Sequence, residues 1–216
     1  MAPMTNASVA AAGACVAASL LLAINLPPSA TFLNQAAACV AWGGLSAFLL
    51  ADASQPRTGD SGQKWLAAAL TTLMVLVLAA TGWRALPAPL GLSAGAALSV
   101  GLLVSPGTAL LAPTQLQAAF RLLASAIVSA GAVSVVIAQV QYFVPEWVDR
   151  QWIAAQSGPR VAANLRQPNH LGTLLLWSSV CLVWWWPRVP GRQIWALLGL
   201  ALFVGCIVQT GSRTAA

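Results

Sequence analysis

Residues 161–177 read VAANLRQPNHLGTLLLW. Asn164, Arg166, Gln167, Asn169 and His170 crowd into the first ten of these positions, and His170 is the chain's single histidine. The second half is an apolar run. A polar cluster that leads directly into such a run belongs at a membrane surface or just inside it. Polar and ionisable groups at that depth are costly, and they are retained where they perform a function. Pro168 suits the first turn of a helix, where its missing N–H costs nothing. The spacing therefore predicts a loop that turns into a membrane helix, with backbone N–H groups at Asn169 to Gly172 open to an anion.

Outward from this stretch, the chain is a series of apolar segments. They run roughly over 9–26, 31–51, 65–83, 90–104, 116–143, 169–186 and 194–209. A span needs about 20 apolar residues, so the pattern predicts an all-α polytopic protein of about seven spans. The first segment lacks a preceding Lys or Arg and a small-residue cleavage site, so it reads as a membrane helix rather than a signal peptide. Ser105-Pro106-Gly107 predicts a break after the fourth segment, with 108–113 dipping back or lying at the interface. The fifth segment is long enough to tilt or to project from the bilayer. Three regions follow: membrane helices over 1–143, a polar loop over 144–168, and a helix hairpin over 169–216.

Composition agrees. Of the 216 residues 59% are hydrophobic and 6% charged, against roughly 25% charged in soluble domains. The net charge of +6 is dispersed over short loops without a basic run, which argues against nucleic acid. Cys15, Cys39, Cys181 and Cys206 all lie in apolar segments without C-x-x-C spacing, and read as small buried hydrophobes. One histidine and four scattered acids (Asp52, Asp60, Glu146, Asp149) argue against a metal centre. Among the short hairpin loops, Arg57 with Lys64 and Arg188 with Arg192 outweigh Arg84. The positive-inside rule then sets the N-terminus in the cytoplasm and the 144–168 loop on the periplasmic side, with Trp147 and Trp152 as interface anchors. Arginines on that outer side call for an anionic ligand.

The run Asn164-Leu165-Arg166-Gln167-Pro168-Asn169-His170-Leu171-Gly172-Thr173 resembles the signature of bacterial protein O-oligosaccharyltransferases, the pilin glycosylation ligases. These are related to the O-antigen ligases and polymerases. Thr210-Gly211-Ser212-Arg213-Thr214-Ala215 is similar to a second, weaker element one helix hairpin later. The resemblance implies the type C membrane glycosyltransferase fold and an inner-membrane location. It also implies en bloc transfer of an oligosaccharide from undecaprenyl diphosphate to Ser or Thr of a periplasmic protein such as pilin, with no cofactor. Lipid A core or another lipid-linked glycan is the alternative acceptor.

The resemblance assigns His170, Arg166 and Gln167 to the reaction. Arg213, Asn169 and Asn164 go to the lipid diphosphate and glycan; Arg84, outside the resembling stretch, reads as a loop charge and is the best further candidate for that role. Arginine stays charged and grips phosphate through a planar fork, which suits a diphosphate leaving group. His170 suits donation to a phosphate, or the orientation of donor or acceptor, more than the role of general base. The family's base-like histidine lies on a periplasmic loop beyond the element matching Ser212-Arg213, so the base is expected after residue 216, and 1–216 is expected to be an N-terminal part, inactive alone. Taken singly, Arg166 reads as a snorkelling interface residue, Arg213 as an ordinary helix-end charge, and Ser212 as a helix-end hydroxyl. Arg150 and Arg160 read as loop charges. A transporter or a non-catalytic membrane remnant is the rival class; no paired repeats with broken helices speak for the transporter.

Overall fold

The computed structural model describes residues 13, 21, 32–51, 61–83, 85–109, 111–155, 158, 160–185 and 193–211. Six helices account for most of them. They are α1 (Phe32–Ala51), α2 (Ser61–Gly82), α3 (Ala88–Ala109), α4 (Pro113–Phe143), α5 (Pro168–Trp185) and α6 (Gln193–Thr210). Two 3-10 turns, Pro145–Trp147 and Ala163–Leu165, interrupt the loop between α4 and α5. No strand occurs among the described residues. Among the described residues four stretches are long and apolar enough to cross a membrane: Gly62–Gly82, Ala88–Ser105, Leu116–Phe143 and Gln193–Thr210. The protein is an all-helical polytopic membrane protein. Of the first expected segment, 9–26, only positions 13 and 21 are described.

One expectation needs correcting. Helix α3 does not break at Ser105-Pro106-Gly107 but continues through them to Ala109. Proline lacks one N–H and leaves one carbonyl unpaired, a local defect that membrane helices tolerate because neighbouring groups re-satisfy it. Ending the helix within lipid would expose several backbone groups instead of one.

The chain forms two compact units, Met1–Cys15 with Gln35–Ala119, and Val16–Asn34 with Phe120–Ala216. In the first, α2 and α3 form a hairpin. Its turn is closed by the N–H groups of Ala85 and Leu86 on the Ala80 carbonyl (3.0 and 3.2 Å), and Pro87 starts α3 by accepting from Leu90 and Gly91 (3.0 and 3.1 Å). Thr81 lies so close to Gly91 that a Cβ there would overlap its hydroxyl. Leu73, Val75, Leu76 and Leu78 of α2 point outward, as lipid-facing side chains do.

In the second unit, α4, α5 and α6 form a three-helix bundle. Phe120 near the start of α4 meets Trp184 near the end of α5 edge to face, centroids 4.7 Å apart. Further along, the Ser178 hydroxyl lies 3.1 Å from the Ile127 carbonyl of α4 and 2.8 Å from that of Leu174 in its own turn. Helix α5 is thus antiparallel to α4. It is antiparallel to α6 as well, and α6 therefore runs alongside α4. Val135, Ala138, Leu171, Leu175, Phe203 and Cys206 fill the core together with Val161 and Ala163 of the loop. The end of α4, the start of α5 and the end of α6 consequently share one end of the bundle.

Close packing in lipid rests on small residues at helix contacts. A Cβ on Gly131 of α4 would lie 2.8 Å from Ser178 Cβ and 3.4 Å from Phe203 Cζ. Gly131→Ala should therefore force α4 away from α5 and lower stability by roughly 1–3 kcal/mol. Thermal denaturation in detergent measures it, and adding Ser178→Gly should recover part of the loss. An unchanged midpoint in Gly131→Ala would mean that the three helices do not meet there.

Candidate functional site

The loop from Val144 to Gln167 is a folded structure held by two buried side-chain amides. Gln141, in the last turn of α4, is 2% exposed. Its Nε2 donates to the carbonyls of Ala154 (2.7 Å) and Ala163 (3.2 Å), and its Oε1 accepts from the Ala163 N–H (2.9 Å). Asn164 is 3% exposed. Its Nδ2 donates to the carbonyls of Trp152 and Leu21, each at 2.8 Å, while its Oδ1 accepts from the Ala154 N–H (2.9 Å). Both N–H donors and the carbonyl of each amide are engaged. An unpaired buried amide would cost a few kcal/mol, so these bonds fix the loop on the bundle end.

Among the described residues three non-glycine residues have positive φ, and all lie in this loop: Arg150 (66°), Ala163 (48°) and Arg166 (59°). Left-handed backbone costs an L-residue about 1–2 kcal/mol, a cost that the amide bonds offset. At the near end, Asp149 caps the turn after the first 3-10 segment. Its Oδ1 accepts from the N–H groups of Gln151 (3.0 Å), Trp152 (2.8 Å) and Ile153 (3.0 Å). These donors, Ile153 first and then Trp152, hold the carboxyl below its ordinary value. At the far end, Arg166 is half-buried in its left-handed turn, and its N–H reaches the Ala163 carbonyl at 3.4 Å. The Gln167 carbonyl then accepts from His170 (3.0 Å) and Leu171 (3.2 Å), which starts α5 at Pro168.

These bonds revise the expected anion cradle. The N–H groups of His170 and Leu171 are taken up by Gln167, because Pro168 in the first turn lets that carbonyl cap the helix. What the helix start does present is side chains. Gln167, Asn169 and His170 are exposed beside the half-buried Arg166. Asn164, from the same motif, points inward instead and serves the fold. Arg84 and Arg213 lie outside the described residues.

A residue read earlier as a loop charge joins this end. Arg160 is exposed, immediately ahead of the buried run Val161–Asn164. A Cβ built on Gly211 would lie 3.6 Å from Arg160 Cδ and 3.7 Å from its Nε. Gly211 (φ 55°) ends α6 in the left-handed turn that glycine adopts freely. A guanidinium there meets the negative end of the helix dipole. The bundle thus brings the second motif, at Thr210-Gly211, beside Arg160, four positions ahead of the first. The signal available in sequence was position alone: Arg160 is the charge that shortly precedes the motif.

Residues 161–186 match the family model described as protein glycosylation ligase. The match begins next to Arg160, covers the buried run and Arg166 to His170, and continues along α5. Comparison with curated proteins and with solved structures finds no match.

Two predictions concern this loop. Replacing Arg166 with Ala or with Gly removes the same side chain, but only Gly relaxes the φ of 59°. Arg166→Gly should therefore be more stable than Arg166→Ala by about 1 kcal/mol in thermal unfolding. Equal stabilities would show that this turn carries no strain. For Asp149 the folded-state pKa is depressed. Its contribution is present above the ordinary carboxylate value and disappears as pH falls through the depressed one. Protection of the Trp152 and Ile153 amides against hydrogen exchange, relative to Asp149→Asn at each pH, should shrink on acidification. A constant ratio down to the acid limit would exclude the carboxylate as their acceptor.

Proposed function

We propose that this protein transfers a preassembled oligosaccharide from a polyprenyl diphosphate lipid to a Ser or Thr hydroxyl of a protein. The reaction takes place at the periplasmic face of the bacterial inner membrane. The observation that carries this reading is the coincidence of match and geometry. The stretch similar to protein glycosylation ligases is the one whose exposed polar residues crown the bundle end.

In the reaction the acceptor oxygen bonds to the anomeric carbon of the first sugar. The bond from that carbon to the diphosphate breaks, and the acceptor proton passes to a base. The leaving diphosphate gains charge at the membrane surface. Arg166 and Arg160 would stabilise it, since guanidinium is charged at every relevant pH and its fork matches phosphate oxygens. Arg213, next but one to Gly211, would join them, and Arg84 is a further candidate by sequence. Gln167 and Asn169 would hydrogen-bond phosphate or glycan hydroxyls. His170 would donate to the donor's phosphate. Asn164 would keep Arg166 in register by holding the turn that presents it.

The test is binding and transfer in one strain. The chain is expressed in bacteria lacking their own ligase and supplied with the lipid-linked glycan and an acceptor pilin. Purified protein is assayed for retained lipid-linked glycan, and the pilin for a mass shift. A charge-assisted hydrogen bond is worth about 1.5–3 kcal/mol, so Arg160→Ala, Arg166→Ala and His170→Ala should each weaken retention by about tenfold or more. Arg166→Lys should recover part, as a point charge replaces the fork. Equal retention by the unaltered chain and all three alanine variants, at matched protein level, would refute the donor site.

A further inference from the structure

Helix α4 carries two amides near its end, Gln139 and Gln141, in a stretch otherwise apolar enough to cross a membrane. Their partners differ. Gln141 holds Ala154 and Ala163 of the loop. Gln139 donates from Nε2 to the Oε1 of Gln209 on α6 at 2.8 Å, with both side chains partly buried. Gln209 immediately precedes Thr210, which is fully buried, and Gly211, which sits against Arg160. Two side chains in the last turns of one helix, two positions apart and on different faces, thus grip the two segments whose tips meet.

A pair of primary amides is a poor choice for packing alone. Leucines would fill similar volume without the cost of burying polar groups. An amide-to-amide bond does fix what leucines leave free, the axial and rotational register of α6 on α4, because its strength falls off steeply with distance and angle. The register matters where the loop side is already fixed. Val161 to Asn164 are buried and tied to Gln141, so Arg160 cannot follow α6 if α6 slides.

From this geometry we infer that Gln139 and Gln209 are positioning residues: their hydrogen bond sets the end of α6, and with it Gly211, against Arg160. The inference rests on the donor site proposed above for its meaning, while its physical content is a spacing that is measurable without any ligand.

The experiment places nitroxide labels at Arg160→Cys and Val208→Cys in protein lacking Cys15, Cys39, Cys181 and Cys206, reconstituted in nanodiscs. Val208 is exposed and one turn before Gly211. Dipolar broadening reports the spacing. Strong broadening is expected with the native pair and with Gln209→Glu, since a carboxyl in either protonation state still offers an oxygen to Gln139 Nε2. Gln139→Leu and Gln209→Leu should lose it, although leucine is of similar size. If either single variant does not fold for want of a partner, the double leucine variant leaves no orphan amide and should fold. It too should lose the broadening. Native broadening in the double leucine variant, or its loss in Gln209→Glu, would overturn the assignment.

A parallel assay titrates farnesyl diphosphate onto unlabelled protein. Binding that weakens in the double leucine variant and returns in Gln209→Glu ties the spacing to the anion. Absence of binding to the native protein counts against the donor site alone, since the label measurement decides the positioning role independently.

Discussion

The end of this bundle depends on one constraint: no backbone or amide group may be left unpaired where water is scarce. Gln141 is the clearest expression of it. One side chain in the last turn of α4 satisfies two carbonyls and an N–H from segments of the loop nine residues apart, Ala154 and Ala163. Asn164 completes the set from the loop side and reaches the Leu21 carbonyl as well. Without these bonds Ala154 and the run Val161–Asn164 would present open backbone to an apolar core, which includes Val161 and Ala163. These residues are buried because their polar groups are paired by side chains.

This pairing explains why strain accumulates here. The positive-φ residues Arg150, Ala163 and Arg166 stand where the chain must reverse direction within a few residues to bring its carbonyls to the two amides. Glycine would relieve each of them, yet two of the three are arginines. A strained backbone bearing a long cationic side chain holds that side chain's origin in one place. For Arg166 the turn sets the start of the guanidinium arm two positions ahead of Pro168, so its backbone is fixed relative to Asn169 and His170.

Hydropathy made the helices legible, because lipid imposes a length and a composition that no soluble core requires. Four helices of the described chain follow the expected segments closely, and α5 begins at the proline that its sequence marked. The misreadings have a common origin. Pro106 was expected to end α3, a rule for helices in water, where a freed carbonyl meets solvent and an alternative conformation is cheap. Asn164 was read with its exposed neighbours, because residue type does not tell which way a side chain points. Its inward turn is set by bonds to Ala154, Trp152 and Leu21, at a loop that Gln141, twenty-three positions earlier and without a motif of its own, pins through Ala154 and Ala163. Arg160 was passed over for the converse reason. Its significance lies in contact with Gly211, across two helices, and no local pattern encodes it.

The division of labour within the motif follows from the same physics. A polar residue at a bundle end can either satisfy the protein or face a ligand, and its hydrogen-bonding capacity decides which. The two side-chain amides of Asn164 and Gln141 are consumed internally, so neither could bind a sugar without breaking the bonds that hold the loop. Gln167 contributes its backbone carbonyl to the start of α5 and keeps its side chain exposed. Asn169 does likewise, its carbonyl accepting from Thr173 (2.9 Å). Gln167, Asn169, His170 and Arg160 are exposed, beside the half-buried Arg166, on a bundle end that the buried amides hold. Under the proposed function that combination suits a flexible lipid-linked chain, since an anionic headgroup would lose its own freedom on binding and a preformed surface adds little further ordering cost.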